Sequence, residues 1–159
     1  MNDKKQYTIV VFSDSHGVRK NIEKMLPDIR ESDYLVYLGD GNRDIDRLQD
    51  RIHVPIVRVR GNCDLCPEIA AETVLTVGNI RFLITHGNAY GVKSSTLSLV
   101  ARAREQGCEW ALYGHTHRAK IWDAGGVTIC NPGAASGPSP SCALIKGDGN
   151  TFFAEIVSL

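Results

Sequence analysis

The amino-acid sequence predicts an α/β protein that begins with a parallel sheet and ends mostly in β-structure. Up to residue 60, short β-branched runs alternate with apolar residues at helical spacing, an order typical of a parallel sheet. After residue 70, apolar runs flank two-residue turn signals such as Gly78-Asn79, which favour antiparallel hairpins.

The first half is predicted to contain three strands and two helices in alternation. Strands are expected at residues 7–12, 34–38 and 55–60. The first helix is predicted from apolar residues at helical spacing, namely Val18, Ile22, Met25, Leu26 and Ile29. We expect Pro27 to kink that helix or end it early. The second helix is indicated by Ile45, Leu48 and Ile52.

The second half is predicted to contain one helix and several strands. The helix is expected at residues 94–106, with Ser94 or Ser95 as its N-cap and Gly107 after its end. Its apolar stripe is predicted to be Leu97, Val100 and Ala101. The strands are expected at residues 72–77, 80–85, 110–113, 119–122, 127–130, 141–146 and 151–157.

Composition restricts the class of protein. The 159 residues include 18 Lys+Arg and 18 Asp+Glu, so we expect a single domain (1–159) without dedicated nucleic-acid binding. Residues 1–6 lead into no signal-peptide pattern, and no apolar run reaches the roughly 18 residues of a membrane span. A cytoplasmic location and no membrane partner are therefore expected, with the five scattered cysteines as reduced thiols.

Polar residues that can bind a metal follow five of the predicted strands. They are Asp14, His16, Asp40, Asn62, His86, His115 and His117. Because sites in open α/β sheets form beyond the carboxyl ends of strands, these residues are predicted to meet at one edge. In an extended backbone, the pairs Asp14/His16 and His115/His117 would each project to one side. The remaining histidine, His53, is expected to lie in a loop or at the surface.

The chemistry of this set favours a transition metal. Two carboxylates, four imidazoles and one amide suit Mn, Fe, Zn, Ni or Co better than Ca or an iron–sulfur cluster. Seven ligands exceed the number that one tetrahedral ion uses and are about right for two ions that share a carboxylate. Each residue alone is also compatible with a cap or a surface group.

Five short motifs together resemble the signature of calcineurin-like metallophosphoesterases. In chain order they are Asp14-Ser15-His16, Gly39-Asp40, Gly61-Asn62-Cys63-Asp64, Thr85-His86-Gly87 and Gly114-His115-Thr116-His117, and Asn131-Pro132-Gly133 extends the likeness. The short chain and Cys63 are similar to the small prokaryotic phosphodiesterase branch, whose compact fold the retromer vacuolar-sorting subunit shares. The resemblance implies a four-layer α-β-β-α sandwich of two mixed sheets flanked by helices.

The resemblance also implies a ligand assignment for two divalent ions. Asp14, His16, Asp40 and His117 would hold the first ion. Asp40, Asn62, His86 and His115 would hold the second, with Asp40 bridging. Mn is the first choice of metal, and Ni, Fe, Zn and Co are alternatives. Asn62 and His86 are expected to serve catalysis as well.

The activity implied is hydrolysis of a small phosphodiester by a hydroxide that the two ions activate. Cys63 departs from the family pattern, because larger members carry a histidine there that is proposed to protonate the leaving group. Cys63 and Cys66 also form a C-x-x-C pattern that could serve redox or zinc chemistry. Phosphomonoester or nucleotide hydrolysis and a metal-binding scaffold are alternatives, and relatives suggest a homo-oligomer.

Overall fold

The computed structural model describes residues 4–159, so the expectation for residues 1–6 falls partly outside the described residues. Its strands are β1 (Tyr7–Phe12), β2 (Tyr34–Tyr37), β3 (Ile56–Arg58), β4 (Glu72–Val77), β5 (Ile80–Thr85), β6 (Trp110–Leu112), β7 (Lys120–Ala124), β8 (Val127–Asn131), β9 (Ser141–Gly147) and β10 (Phe152–Ser158). Its α-helices are α1 (Lys20–Glu23), α2 (Leu26–Arg30), α3 (Asn42–Leu48) and α4 (Leu97–Glu105). Short 3₁₀ turns occur at Gln49–Arg51 and Asn88–Tyr90.

The ten strands form two mixed sheets of five strands each. The first has the order β10-β9-β1-β2-β3 and the second β4-β5-β6-β8-β7. Parallel pairing joins β1 to β2 and β2 to β3 in the first sheet, and β5 to β6 and β6 to β8 in the second. Each sheet therefore presents the carboxyl ends of three adjacent parallel strands, from which the loops of the candidate site begin.

Side-chain alternation along β1 shows how the layers are built. Ile9 and Val11 pack into the core between the two sheets, while Val10 and Phe12 pack into a second core that includes residues of α1, α2 and α3. A third core lies between the second sheet and α4. Because strand side chains alternate between faces, three cores separate four layers, which confirms the predicted α-β-β-α sandwich.

The predicted first helix is two short helices, α1 and α2. An interruption at Pro27 was expected, but the interruption lies before Pro27, at Lys24 and Met25. Pro27 lies in the first turn of α2, at position N1 or N2. Proline is tolerated there because its missing N–H has no partner within a helix, whereas in a helix interior its ring clashes with the preceding turn. Pro27 thus begins the second helix.

The start of α4 also differs from the prediction. Thr96 is the N-cap residue, and its side chain makes no capping hydrogen bond. Instead, the Oγ of Ser95 accepts a hydrogen bond from the backbone N–H of Leu97, at 3.2 Å. The helix therefore begins three residues later than predicted, and Ser95 supports its first turn from outside.

The buried face of α4 is rotated from the predicted stripe. Its buried residues are Leu99, Val100 and Ala103, whereas Leu97 is 79% exposed and Ala101 is exposed. Both stripes include Val100 and obey helical spacing, so periodicity alone does not separate them. Packing against the second sheet decides, because Leu99 and Ala103 join its apolar core.

Among residues 4–159, none of the helices combines the length and the apolar composition that crossing a bilayer would require.

Candidate metal centre

Loops from both sheets bring six of the seven predicted residues into two neighbouring groups. In each group, one donor atom per side chain lies within 4.8 Å of the others. One group holds Asp14, His16 and His117, and the other holds Asp40, His86 and His115. Strands of the first sheet lead to Asp14, His16 and Asp40, and strands of the second lead to the other three.

The first group has donor atoms at spacings typical of one coordination sphere. The Oδ1 of Asp14 is 3.1 Å from the Nε2 of His117 and 3.5 Å from the Nε2 of His16. The two imidazole nitrogens are 3.3 Å apart. Donor atoms that bind one ion at about 2.0–2.2 Å lie about 3–3.5 Å from one another, so this group fits a divalent transition metal.

The second group has similar spacings and a fixed imidazole. The Nε2 of His86 is 3.2 Å from the Oδ2 of Asp40 and 3.2 Å from the Nδ1 of His115. The Nδ1 of His86 lies 2.8 Å from the carbonyl oxygen of Leu38. A carbonyl only accepts, so Nδ1 donates, which directs Nε2 of this buried ring toward the group.

Asp40 lies between the two groups. Its Oδ2 is 3.9 Å from the Nε2 of His16 in the first group and 3.2 Å from His86 in the second. Its Oδ1 accepts a hydrogen bond of 2.8 Å from the backbone N–H of Cys63. This position suits a carboxylate shared by two ions.

Five of the six clustered residues have a left-handed backbone. The φ angles are 55° for Asp14, 45° for His16, 61° for Asp40, 70° for His115 and 59° for His117. Within residues 4–159 these are the only residues other than glycine with positive φ. Each such residue costs on the order of 1 kcal/mol, and this strain is characteristic of functional sites. The prediction that the pairs Asp14/His16 and His115/His117 converge through extended backbone was therefore wrong.

Glycines let the ligand loops approach one another. A Cβ at Gly114 would collide with the Oγ of Ser13 and the carboxylate of Asp14, and one at Gly61 would collide with Asp40. A side chain at either position would displace a carboxylate of the cluster, so the close approach requires glycine.

Asp64 organises the loops that carry Asp40 and Asn62. Its carboxylate accepts hydrogen bonds of 2.8–3.0 Å from the backbone N–H groups of Asp40, Gly41, Asn42 and Gly61. The amide of Asn42 donates a fifth, of 2.7 Å. Burial opposes ionisation, but these bonds outweigh it and lower the pKa of Asp64. Asp64 therefore fixes the backbone around Asp40.

Asp44 has a role that the sequence analysis did not identify. Its Oδ2 accepts hydrogen bonds from the Oγ of Ser15, at 2.6 Å, and from the N–H of Gly17, at 2.9 Å. Ser15 in turn lies 2.7 Å from the hydroxyl of Tyr37. This network anchors the Asp14–His16 loop to α3. No local sequence pattern indicates it, because Ser15 and Asp44 are 29 positions apart.

Asn131 is a second residue whose role was not predicted, although its motif was. Its amide donates to the carbonyl oxygen of Gly114 at 3.1 Å and to the Oγ1 of Thr116 at 3.0 Å, and its Oδ1 accepts from the N–H of Gly133. Asn131 thus holds the loop that carries His115 and His117.

Asn62 is placed differently from the other six predicted ligands. Its side chain is exposed, and its amide nitrogen is 3.5 Å from the Sγ of Cys63. Among the described residues it forms no hydrogen bond with the clustered six. The Sγ of Cys63 lies within 4.8 Å of donor atoms of His16 and Asp40, so the thiol reaches the cluster. His53, as predicted, is exposed.

Charges within the cluster shift the pKa values in opposite directions. Burial opposes ionisation of Asp40, but hydrogen bonds from His86 and Cys63 and the charge of His86 lower its pKa to about 2. Burial favours neutral His86, but its hydrogen bond to Asp40 and the charges of Asp14 and Asp40 raise its pKa. Burial and the charges of His86 and Lys93 lower the pKa of His115. Metal-free protein therefore favours an ionised Asp40–His86 pair beside neutral His115.

Metal affinity is expected to rise with pH, because His86 must lose its proton to bind a metal. Below the raised pKa of His86, each fall of one pH unit weakens apparent affinity about tenfold for one displaced proton. In the metal-free protein, Asp40 and His86 change the stability of the fold with pH in opposite directions. Asp40 stabilises the fold above about pH 4 and loses this effect toward pH 2, whereas His86 loses its stabilisation as pH rises through its raised pKa. Calorimetric titration with Mn²⁺ between pH 5.5 and 8 measures how metal affinity changes with pH. The control His53→Gln, which changes an exposed histidine outside the cluster, should show the same pH dependence. A flat profile would contradict the prediction.

A cavity of about 390 Å³ opens beside the cluster. His16, Asp40 and Cys63 contribute to its wall, as do Arg43 and Arg47 of α3. Burial and the charge of Asp40 raise the pKa of Cys63, so its thiol is protonated at neutral pH. The cavity therefore combines candidate ligands, a proton donor and two guanidinium groups.

Comparison with known proteins identifies relatives of this chain. The model of the calcineurin-like phosphoesterase superfamily domain matches residues 7–149. Probable metallophosphoesterase YsnB of Bacillus subtilis is 30% identical over 127 residues, which cover 79% of this chain and 73% of the relative.

Solved structures with the same fold include a predicted phosphoesterase of Streptococcus pneumoniae, with TM-score 0.81, 24% identity and coverage of 97% of this chain and 90% of that one. Vacuolar protein sorting 29 of Cryptosporidium parvum has TM-score 0.77, 18% identity and coverage of 97% and 98%. An archaeal phosphodiesterase has TM-score 0.76, 19% identity and coverage of 94% and 99%. At these identities the likeness is one of fold.

Proposed function

Because the chain belongs to the calcineurin-like phosphoesterase superfamily, we propose that it is a metal-dependent phosphodiesterase that hydrolyses a small phosphodiester. The observation that carries this proposal is the convergence of six side chains whose donor atoms could hold a metal, five of them on strained left-handed backbone. Strain retained at a cluster of ligands indicates that the arrangement serves function. We also propose that residues 1–159 form one catalytic domain and act in the cytoplasm.

We propose that two divalent ions bind, with Mn²⁺ as the first choice. Asp14, His16 and His117 would hold one ion, and His86, His115 and Asn62 the other. Asp40 would be shared, which its position between the groups supports. Bound ions would supply charge stabilisation at the phosphoryl group and an activated water molecule.

Side chains of the protein would bind the ester and donate the proton that its leaving oxygen takes up. Hydrolysis joins a water oxygen to phosphorus and breaks the bond to the leaving oxygen, which takes up a proton. Arg43 and Arg47 line the cavity beside the cluster and can bind phosphoryl oxygens. Leu65, which is 96% exposed and lies on the same wall, offers an apolar contact for the rest of the ester.

Cys63 is the candidate donor of that proton. Its thiol reaches His16 and Asp40 and is protonated because burial and the charge of Asp40 raise its pKa. A donor with a raised pKa transfers its proton to the leaving oxygen less readily. We therefore propose that the protein favours esters with good leaving groups, such as aryl diesters.

Replacing Cys63 by histidine is expected to increase kcat for an alkyl diester by about tenfold, because imidazole is the better general acid near neutral pH. Hydrolysis of a bis-aryl phosphate, whose leaving group needs little protonation, should change less. Initial rates with Mn²⁺ for the two esters check this, with Cys66→His as the matched control. Equal rates for Cys63→His and the unmodified protein on the alkyl ester would count against a donor role.

The proposed activity is tested with a bis-aryl phosphate and its mono-aryl analogue, each with Mn²⁺ and with a chelator. Diester hydrolysis that the chelator abolishes and Mn²⁺ restores supports the proposal. Preference for the monoester would instead favour phosphomonoester or nucleotide hydrolysis at the same site.

A scaffold function is the second candidate, because the fold matches vacuolar protein sorting 29 over 97% of this chain. Six clustered ligands are compatible with a scaffold that keeps its metal. Bound metal without hydrolysis of either ester would favour this function.

A further inference from the structure

A second cavity, of about 580 Å³, lies beside the loops that carry the histidines of the second sheet. One wall is the segment from Val92 to Thr96, which follows His86 in the chain. Another wall includes Thr116, between His115 and His117, and Arg118 directly after them. The two loops that supply candidate ligands therefore continue into the wall of this cavity.

The cavity is lined by positive charge. Lys93, Arg118 and Lys120 belong to the lining, and none of its residues is acidic. Within residues 4–159, no carboxylate oxygen lies within 4.0 Å of these three cations. Lys120 instead lies over the ring of Trp122, 4.5 Å from its centroid. Three cations around one cavity without acidic partners favour an anionic ligand.

The first cavity differs in charge. Its lining includes Asp40, Asp44, Asp46 and Asp64 beside two arginines. The second cavity, which has no acidic residue in its lining, is therefore the more favourable of the two for an additional anionic group on a ligand. The difference in charge gives an ester a preferred orientation across the cluster.

The second cavity is close enough for one ligand to reach both places. Arg118, which lines it, directly follows His117 of the cluster in the chain. Thr116 lies between two clustered histidines and is held by a hydrogen bond from Asn131. An ester with phosphorus at the cluster therefore needs only a short chain to place a second group in this cavity.

We propose that this cavity is an anion-binding subsite that receives a second phosphate group of the ester substrate. The inference rests on the proposed function, because it places the scissile phosphate at the metal-ligand cluster. Lys93 and Arg118 would bind the second group through charge-assisted hydrogen bonds, and Lys120 would add positive charge at the rim.

The kinetic test compares two esters on the metal-loaded protein. One is 4-nitrophenyl propyl phosphate, and the other carries a terminal phosphonate on its propyl chain, which the enzyme cannot cleave as an ester. We expect the unmodified protein to prefer the phosphonate ester in kcat/KM. In Lys93→Gln/Arg118→Gln this preference should fall at least tenfold, mainly through KM, because both charge-assisted hydrogen bonds to the second group would be lost. The control Lys24→Gln, an exposed lysine on the helical side of the first sheet, should keep the preference. A double variant with an unchanged preference overturns the proposal.

An equilibrium measurement separates the subsite from the activity. Calorimetric titration with propane-1,3-diphosphonate should give affinity at least tenfold weaker in the double variant than in Lys24→Gln. That result stands even if no ester is hydrolysed, in which case the proposed function fails and the subsite remains. Hydrolysis without any difference in diphosphonate affinity refutes the subsite alone. The affinity for inorganic phosphate is measured in the same way. If this affinity falls in the double variant while kcat/KM for the phosphonate ester does not, the cavity is a site for free phosphate, and the proposal is overturned.

Discussion

Asp40→Asn is expected to lower phosphodiester hydrolysis about a thousandfold, equivalent to about 4 kcal/mol of transition-state stabilisation. The carboxylate of Asp40 lies between the two ligand groups and faces His16 and His86. An amide of the same shape carries no charge and cannot be shared by two cations in the same way. The metal content of the purified variant should therefore fall together with its activity. Metal analysis and initial rates on a bis-aryl phosphate measure both.

The matched control is Asp50→Asn, which removes an exposed carboxylate from the 3₁₀ turn after α3. Activity and metal content should match those of the unmodified protein. Circular dichroism establishes that the Asp40 variant is folded. Full activity and full metal content in Asp40→Asn would remove Asp40 from the ligand set and the shared-carboxylate assignment with it.

Asp64→Asn is expected to lower the free energy of unfolding by about 3 kcal/mol and to weaken metal binding about 10- to 100-fold. The Asp64 carboxylate accepts five hydrogen bonds, four of them from backbone N–H groups around Asp40 and Gly61. An amide would place its own N–H₂ against one or more of these donors. The loop that carries Asp40 should then lose its fixed position, although Asp64 lies outside the ligand groups.

The control for Asp64 is Asp148→Asn in the β9–β10 turn. Asp148 also accepts backbone hydrogen bonds, from Asn150 and Thr151 at 2.9 Å, and it lies outside the cluster. Its replacement should lower stability less than Asp64→Asn does and leave Mn²⁺ affinity unchanged. Chemical denaturation measures stability, and calorimetric titration measures Mn²⁺ affinity. Equal effects of the two substitutions on metal binding would show that Asp64 has no special role at the site.

Strand positions and the places of the candidate ligands were predictable because both depend on local patterns. An apolar run that ends before a glycine and a polar residue identifies a strand and the loop after it, as at residues 34–38 before Gly39-Asp40. Parallel order then places such loops at one edge. Six of the seven predicted residues accordingly lie together, with Asn62 turned toward Cys63.

Other features depended on contacts between distant segments. An apolar stripe through Leu97 and one through Leu99 agree equally well with helical spacing. Only packing against the second sheet determines that Leu99 is the buried residue. The contact of Asp44 with Ser15 joins residues 29 positions apart, which no local pattern indicates. Left-handed backbone at Asp14 and His115 requires opposing loops to hold it, so the sequence alone favoured the ordinary extended form.

The left-handed backbone restricts how this centre could be redesigned for another metal. Glycine, asparagine, aspartate and histidine tolerate positive φ better than other residues. At Asp14, His16, Asp40, His115 and His117, a change to glutamate or cysteine would therefore carry a backbone penalty in addition to any change in coordination. A thiolate-rich centre for a soft metal is consequently harder to build here than an exchange between aspartate and histidine. His86, whose φ is not left-handed, is the position where a designer has the widest choice of ligand.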